Sequence, residues 1–181
     1  DDERNHLMDM VRAEQTSRAT RRRTTRDRVR PGVQRVIDAM TDAAAFVRNQ
    51  RLDILSMNRL GYALYSEAFV DPTRPVNLAR FVYLDPRSRE FYGDWNRIAD
   101  DAVASLRVEA GRNPHDRQFT DIIGQLSTLS EEFRVRWAAH NVRVYRTGRQ
   151  PFGHPLVGDL TLDYEAFDIP ADPTHTMVVY T

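Results

Sequence analysis

Apolar positions change period twice along this chain, and the changes mark out its elements. Val33, Val36, Ile37 and Met40 fall three and four apart behind Pro31, which predicts a helix reaching about residue 44. Phe46-Val47-Arg48 and the run 52–57 then flank the polar pair Asn49-Gln50 as the two arms of a β-hairpin. Asn58 suits a helix N-cap, since its short side chain can accept from an orphan N–H, and Leu60, Ala63, Leu64 and Phe69 follow it down to Pro72 and Pro75. Residues 77–84 read as a helix or turn stopped by Asp85-Pro86. From Arg87 one long helix is expected, with Phe91, Trp95, Ile98, Ala102, Val103 and Leu106 as its stripe toward Gly111. Phe119, Ile122, Ile123, Leu126 and Leu129 make another stripe, and Ser130-Glu131-Glu132 caps a helix lined by Phe133, Trp137 and Ala138. Past His140 the period drops to two. Val142, Val144 and Tyr145 lead to an expected turn at Thr147-Gly148, Leu160, Leu162, Tyr164 and Ala166 alternate with polar residues, and 175–180 forms a last strand. Two strands, a helical middle and three strands make an α+β fold, a five-stranded antiparallel sheet with helices packed over one face.

The N-terminal end reads differently. Residues 1–15 predict a short helix whose Leu7, Met10 and Val11 cannot form a core, so it is expected to pack on a preceding domain or a second copy. Residues 16–30 carry seven arginines against one acid, 7 − 1 = +6, whereas 31–181 carry 17 arginines and 20 acids, 17 − 20 = −3. The first stretch reads as an arginine-rich linker and 31–181 as the folded domain. A near-neutral to acidic body is a poor electrostatic partner for nucleic acid. The absence of an initiator Met and the apolar run at the other end suggest a piece of a longer chain.

Composition narrows the chemistry. The 181 residues include no cysteine and no lysine, with 26 arginines balanced by 26 acids. Disulfides, thiolate metal sites and cysteine nucleophiles are thereby excluded, and a reducing, cytoplasmic setting with no membrane association is expected. No G-x-S-x-G, G-x-x-x-x-G-K-[ST], G-x-G-x-x-G or H-E-x-x-H pattern occurs, and no two histidines stand at metal-ligand spacing. His140 and His154 lie where they could converge near the C-terminal sheet, but no nucleophile accompanies them. Phe81, Phe91, Tyr92, Trp95, Phe133 and Trp137 serve equally as core or as the lining of a ligand cavity. Arg107 sits at the edge of an apolar stripe, where it either snorkels to solvent or turns inward to hold an anion.

Several blocks occur together in order. They are Phe46-Val47-Arg48-Asn49 with Leu52-Asp53-Ile54-Leu55 and Asn58; Asn77-Leu78 with Phe81; Asp94-Trp95; Leu106-Arg107; S-x-E-F-x-x-x-W-x-x-H over 130–140; and F-G-H-P-L-V-G-D-L-T-L-D-Y over 152–164. Together they resemble the ligand-binding domain of MmyB-like transcription regulators, which follows an XRE-type helix-turn-helix. The resemblance implies a PAS-like fold. It also implies that 1–15 is the last helix of a missing DNA-binding domain, through which a homodimer would reach DNA, and that the domain senses a small apolar ligand such as a fatty acid. No catalysis, metal or other cofactor is implied. On this resemblance and the spacing, Arg107, Trp95, Phe81, Phe133, Trp137, His140, His154 and Tyr164 are the expected ligand-binding residues, with Arg107 on a carboxylate. A sixteen-atom lipid at about 0.3 kcal/mol per atom would bind between millimolar and micromolar. Two alternatives remain at this point: a dimerisation module with a filled core, and an enzyme using His140 or His154 as general base.

Overall fold

The computed structural model describes residues 28–112, 116–139 and 145–181. The helix expected over 1–15, most of the linker, His140, and the strand residues Val142 and Val144 lie outside the described residues. In chain order the elements are α1 (Pro31–Asp38), β1 (Ala44–Asn49), β2 (Ile54–Met57), α2 (Arg59–Leu64), a 3-10 turn (Ser66–Phe69) and α3 (Leu78–Leu84). There follow α4 (Ser88–Phe91), α5 (Trp95–Arg112), α6 (Arg117–Leu129), α7 (Glu131–Ala138), β3 (Thr147–His154), β4 (Gly158–Asp168) and β5 (His175–Tyr180). The five strands form one antiparallel sheet in the order β2-β1-β5-β4-β3, the expected α+β architecture and one compatible with a PAS-like fold.

Strand alternation decides which side chains meet the helices. Phe46 stands opposite Val178, Val178 opposite Ala166, and Tyr180 opposite Tyr164, so these residues share the inner face. There they join Tyr65, Phe81, Phe91, Tyr92 and Phe152 in the larger core. A second core, built on Val103, Leu106, Phe119, Leu126 and Phe133, lies among α3, α5, α6 and α7. The outer face is covered too: Ala45, Val47, Met177 and Val179 pack with Ile37 of α1. Beyond the helical layer expected on one face, then, α1 sits on the other. Its position follows from β1 and β5, central strands that are apolar on both sides and need cover on both.

Side-chain amides fasten these layers. Asn58 caps α2 through Gly61 N (2.8 Å), accepts from Ala45 N (3.0 Å), and donates to the carbonyls of Ile37, Met40 and Ala43 at 3.2, 2.9 and 2.8 Å. One buried amide thereby holds the end of α1, the start of β1 and the first turn of α2. In the β1–β2 turn, Asn49 Oδ1 accepts from the backbone of Arg51 and Asp53 while its Nδ2 donates to Asp53 Oδ2 at 2.9 Å. Asn77, which caps α3, donates to Asp53 Oδ1 at 2.8 Å and to the Arg51 carbonyl at 2.7 Å. This knot holds Leu52 in the left-handed region (φ 67°), which an L residue occupies only under constraint.

Three boundaries differ from the sequence expectation. Helix α1 ends at Asp38 rather than near residue 44, because Ala44 and Ala45 are taken up by pairing with Tyr180 and Val179. The helix expected from Arg87 breaks between α4 and α5, where Tyr92 bridges Phe152 and the Gly93 N–H donates to the Pro151 carbonyl at 3.1 Å. Thr147 and Gly148 open β3 instead of forming a turn. The hairpin reverses at 155–157, with His154 opposite Gly158, whose φ of 77° glycine supplies without strain.

Candidate functional site

Between the inner face of the sheet and the helices α3 and α5 lies a cavity of about 110 Å³. Phe46, Arg48, Val178, Tyr180, Tyr164 and Ala166 make its floor, and Leu78, Val82, Ile98 and Ala102 belong to its roof. Its walls are apolar and aromatic, with a few polar groups at defined places, as small-molecule sites usually are.

Arg48 is the unusual member. Alternation along β1 places it on the same face as Phe46, and β2 carries an irregularity opposite Val47 and Arg48, the kind of bulge that re-aims a side chain. Its guanidinium makes no hydrogen bond or ion pair with any described residue. The acid whose charge bears on it, Asp168, is held by Arg146. Burial lowers the Arg48 pKa, opposed first by Tyr180. Arginine keeps its proton at any physiological pH, so this is a cation in a mostly apolar space without a counter-charge.

The other polar groups are partnered, or nearly so. Tyr65 and Tyr180 share a hydroxyl–hydroxyl bond of 2.8 Å, and burial pushes both phenols upward, Tyr180 to about 12. They are therefore neutral donors and acceptors. Arg97 of α5 reaches the sheet through the Arg149 carbonyl (3.1 Å) and Gln150 Oε1, and stands 3.4 Å from Asp101 Oδ2. The Asp101 carboxyl is pushed up to about 6, mainly by burial, and its Oδ1 is buried without a partner among the described residues.

Of the eight residues expected from the sequence, the structure brings Tyr164 to this cavity. Trp95 is buried in the core, its indole N–H donating to the Val82 carbonyl (3.2 Å) and Ser88 Oγ (3.1 Å). Phe81 packs edge-on against Phe91 and Tyr92. Phe133 is stacked on Trp137 within the second core, at 5.6 Å and 17°. Arg107 lies over the Trp137 ring at 4.5 Å and donates to the Trp137 carbonyl, away from the cavity lining. His154 uses both ring nitrogens: Nε2 donates to the Ala63 carbonyl at 2.9 Å, and Nδ1 accepts from Leu156 N at 3.2 Å, which fixes its tautomer. His140 lies outside the described residues. Arg48, Tyr180 and Asp101 went unnoticed in the sequence. The available signal for Arg48 was its period-two position beside Phe46, a charged residue on a core-facing register.

A wider groove of about 790 Å³ runs between α3 and the 71–77 segment. Its cations are occupied locally, Arg74 by the carbonyls of Asp71 and Thr73, Arg80 by Gln125, and Arg87 by Asp85. Among the described residues no group of three or more His, Asp or Glu side chains could hold a metal ion, and no helix is long and apolar enough to cross a membrane.

A sheet roofed by helices, with a small, largely apolar cavity between them, defines a ligand-binding module. Residues 29–181 match the MmyB-like transcription regulator ligand binding domain, and the chain belongs to that family. Comparison with curated proteins gave no match.

Proposed function

We propose that this domain is the sensor of a DNA-binding transcription regulator, and that a small apolar acid, of the fatty-acid kind or more compact, is its signal. The observation carrying this reading is the cavity with Arg48 unpaired at its wall. Ser105 and Asp101 line the same wall, but Asp101 Oδ1 has no partner among the described residues and Oδ2 faces Arg97. Both ring nitrogens of His154 are bonded to backbone, so the proposed role is binding rather than catalysis.

The fold offers a route for the signal. Phe46 and Arg48 face the cavity while Ala45 and Val47, on the same strand, face α1; Val178 and Tyr180 alternate in the same way with Met177 and Val179. A ligand that repacks the inner face shifts strands whose other face carries the helix leading back to the N-terminal segment. That segment would join an XRE-type helix-turn-helix reader, acting in the cytoplasm as a homodimer, with DNA bound by the reader and not by this domain. Regulation then follows from differential affinity of the ligand for two packings. The test is operator binding by the full-length regulator, stripped of bound small molecules and then resupplied. A ligand-dependent change in affinity is expected, and equal affinity in both states overturns the reading. A dimerisation module with a filled core would give that equal affinity and no ligand-linked stabilisation.

A further inference from the structure

We infer that the cavity is built for a compact carboxylic acid of about one ring, with Arg48 taking the carboxylate; this rests on the sensing role proposed above. Charge is the first argument. Arg48 is half-buried, and for a guanidinium drawn partly out of water with no partner among the described residues a carboxylate is the group that satisfies it best, through two parallel N–H···O bonds. Inside the protein Asp168 is held by Arg146, and Asp101, on the roof helix, stands beside Arg97 through Oδ2. The neutral phenols of Tyr65 and Tyr180 bond to each other and leave Arg48 to the ligand.

Size is the second argument. The space of about 110 Å³ is slightly smaller than the roughly 150 Å³ cavity known to take benzene, and well below the roughly 300–1,000 Å³ of sites for drug-sized ligands. One ring or a short branched chain fits, and a fourteen-carbon chain exceeds the space. The walls give the third argument. Phe46, Tyr65, Tyr92, Tyr164 and Tyr180 surround the space with rings, and Tyr65 and Tyr180 already stand 5.3 and 6.3 Å from Phe46. Such spacing suits edge-on or offset contact with one more ring.

Titration calorimetry on the 181-residue chain with benzoate, benzamide and tetradecanoate tests the inference. Benzoate is expected to bind, and benzamide, the same shape without the charge, at least tenfold more weakly. Arg48→Met is expected to lose benzoate at least thirtyfold, and Arg48→Lys to recover part of it; circular dichroism confirms that both variants fold. Equal binding of benzoate and benzamide overturns the role given to Arg48. Tetradecanoate binding more tightly than benzoate overturns the size argument and leaves the sensing role intact. If none of the three binds and no small acid is recovered from the purified chain, both the inference and the sensing role fail.

Discussion

Replacing Asn58 by alanine is expected to destabilise this domain by about 3–5 kcal/mol, although the residue touches no ligand. Five backbone groups lose a hydrogen bond. The Gly61 N–H is an N-cap bond, worth about 1 kcal/mol. The buried Ala45 N–H costs about 1–3 kcal/mol when its bond to Asn58 is left unmade. Of the three carbonyls, Ile37 O keeps a second donor in Met40 N (3.2 Å), whereas Met40 O and Ala43 O lose their Asn58 bond and recover only what water can supply. Urea unfolding measures the sum, with the slope unchanged if the effect lies in the native state. By heat it corresponds to about 6–20 °C for a chain of this size. Asn58→Asp sharpens the test. It keeps both acceptors but turns a carboxylate oxygen toward three carbonyls, so it should be as unstable as the alanine variant at neutral pH. Since protonation restores a donor, this variant should regain stability as pH falls, in contrast to Asn58→Ala. A loss below about 1 kcal/mol in Asn58→Ala would refute the reasoning that this amide ties α1, β1 and α2 together.

Other outcomes follow from the same geometry. The Asp101 carboxyl, raised to about 6, keeps its proton in the native chain at pH values where the unfolded chain, near 4, has lost it. The native state binds more protons over that window, so stability falls as pH rises from about 4 to about 6 and levels off above. Asp101→Asn removes this component, and the stability difference between wild type and variant should change by about 1–2 kcal/mol between pH 4 and 7, read by urea titration at each pH. Gly61→Ala brings a Cβ to 2.6 Å from the Ala45 carbonyl oxygen, and should cost about 1–3 kcal/mol by overpacking against backbone, measured as a lower melting temperature. Arg107→Met loses its stack on Trp137, worth about 0.5–1 kcal/mol, and should leave benzoate affinity unchanged in calorimetry.

Much of the framework was legible because local chemistry and global packing agree. Asn58 and Ser130 read as caps and are caps, Ser130 Oγ accepting from Phe133 N at 3.2 Å. The Asn49-Gln50 hairpin and the alternating runs of β4 and β5 stand where periodicity put them. β3 was the hardest element to read. Its sequence, T-G-R-Q-P-F-G-H, has poor strand propensity, and it survives because it is an edge strand. There Pro151 costs no ladder bond on its free side, and its carbonyl is used by Gly93 N. The break before α5 has the same origin, since Tyr92 is drawn into a bridge with Phe152 by contact no local pattern encodes. The site was less legible than the fold. Trp95, Phe133, Trp137 and Arg107 attract notice by residue type, yet the Trp95 indole N–H and the Phe133 and Trp137 rings are used within the protein, and Arg107 lies over Trp137 with its Nε buried and without a partner among the described residues. What distinguishes Arg48 is its place on the cavity wall while Asp168 is held by Arg146, a property of the folded arrangement rather than of the residues near it in sequence.

The central claim, that the cavity under α3 and α5 receives a small acid, is tested most directly by native mass spectrometry of the purified chain, followed by denaturation and solvent extraction. One small acid per chain, retained in the native spectrum, lost on denaturation and much diminished in Arg48→Met, is the predicted result. A chain of bare mass, which stays bare after incubation with benzoate and with tetradecanoate, would contradict it.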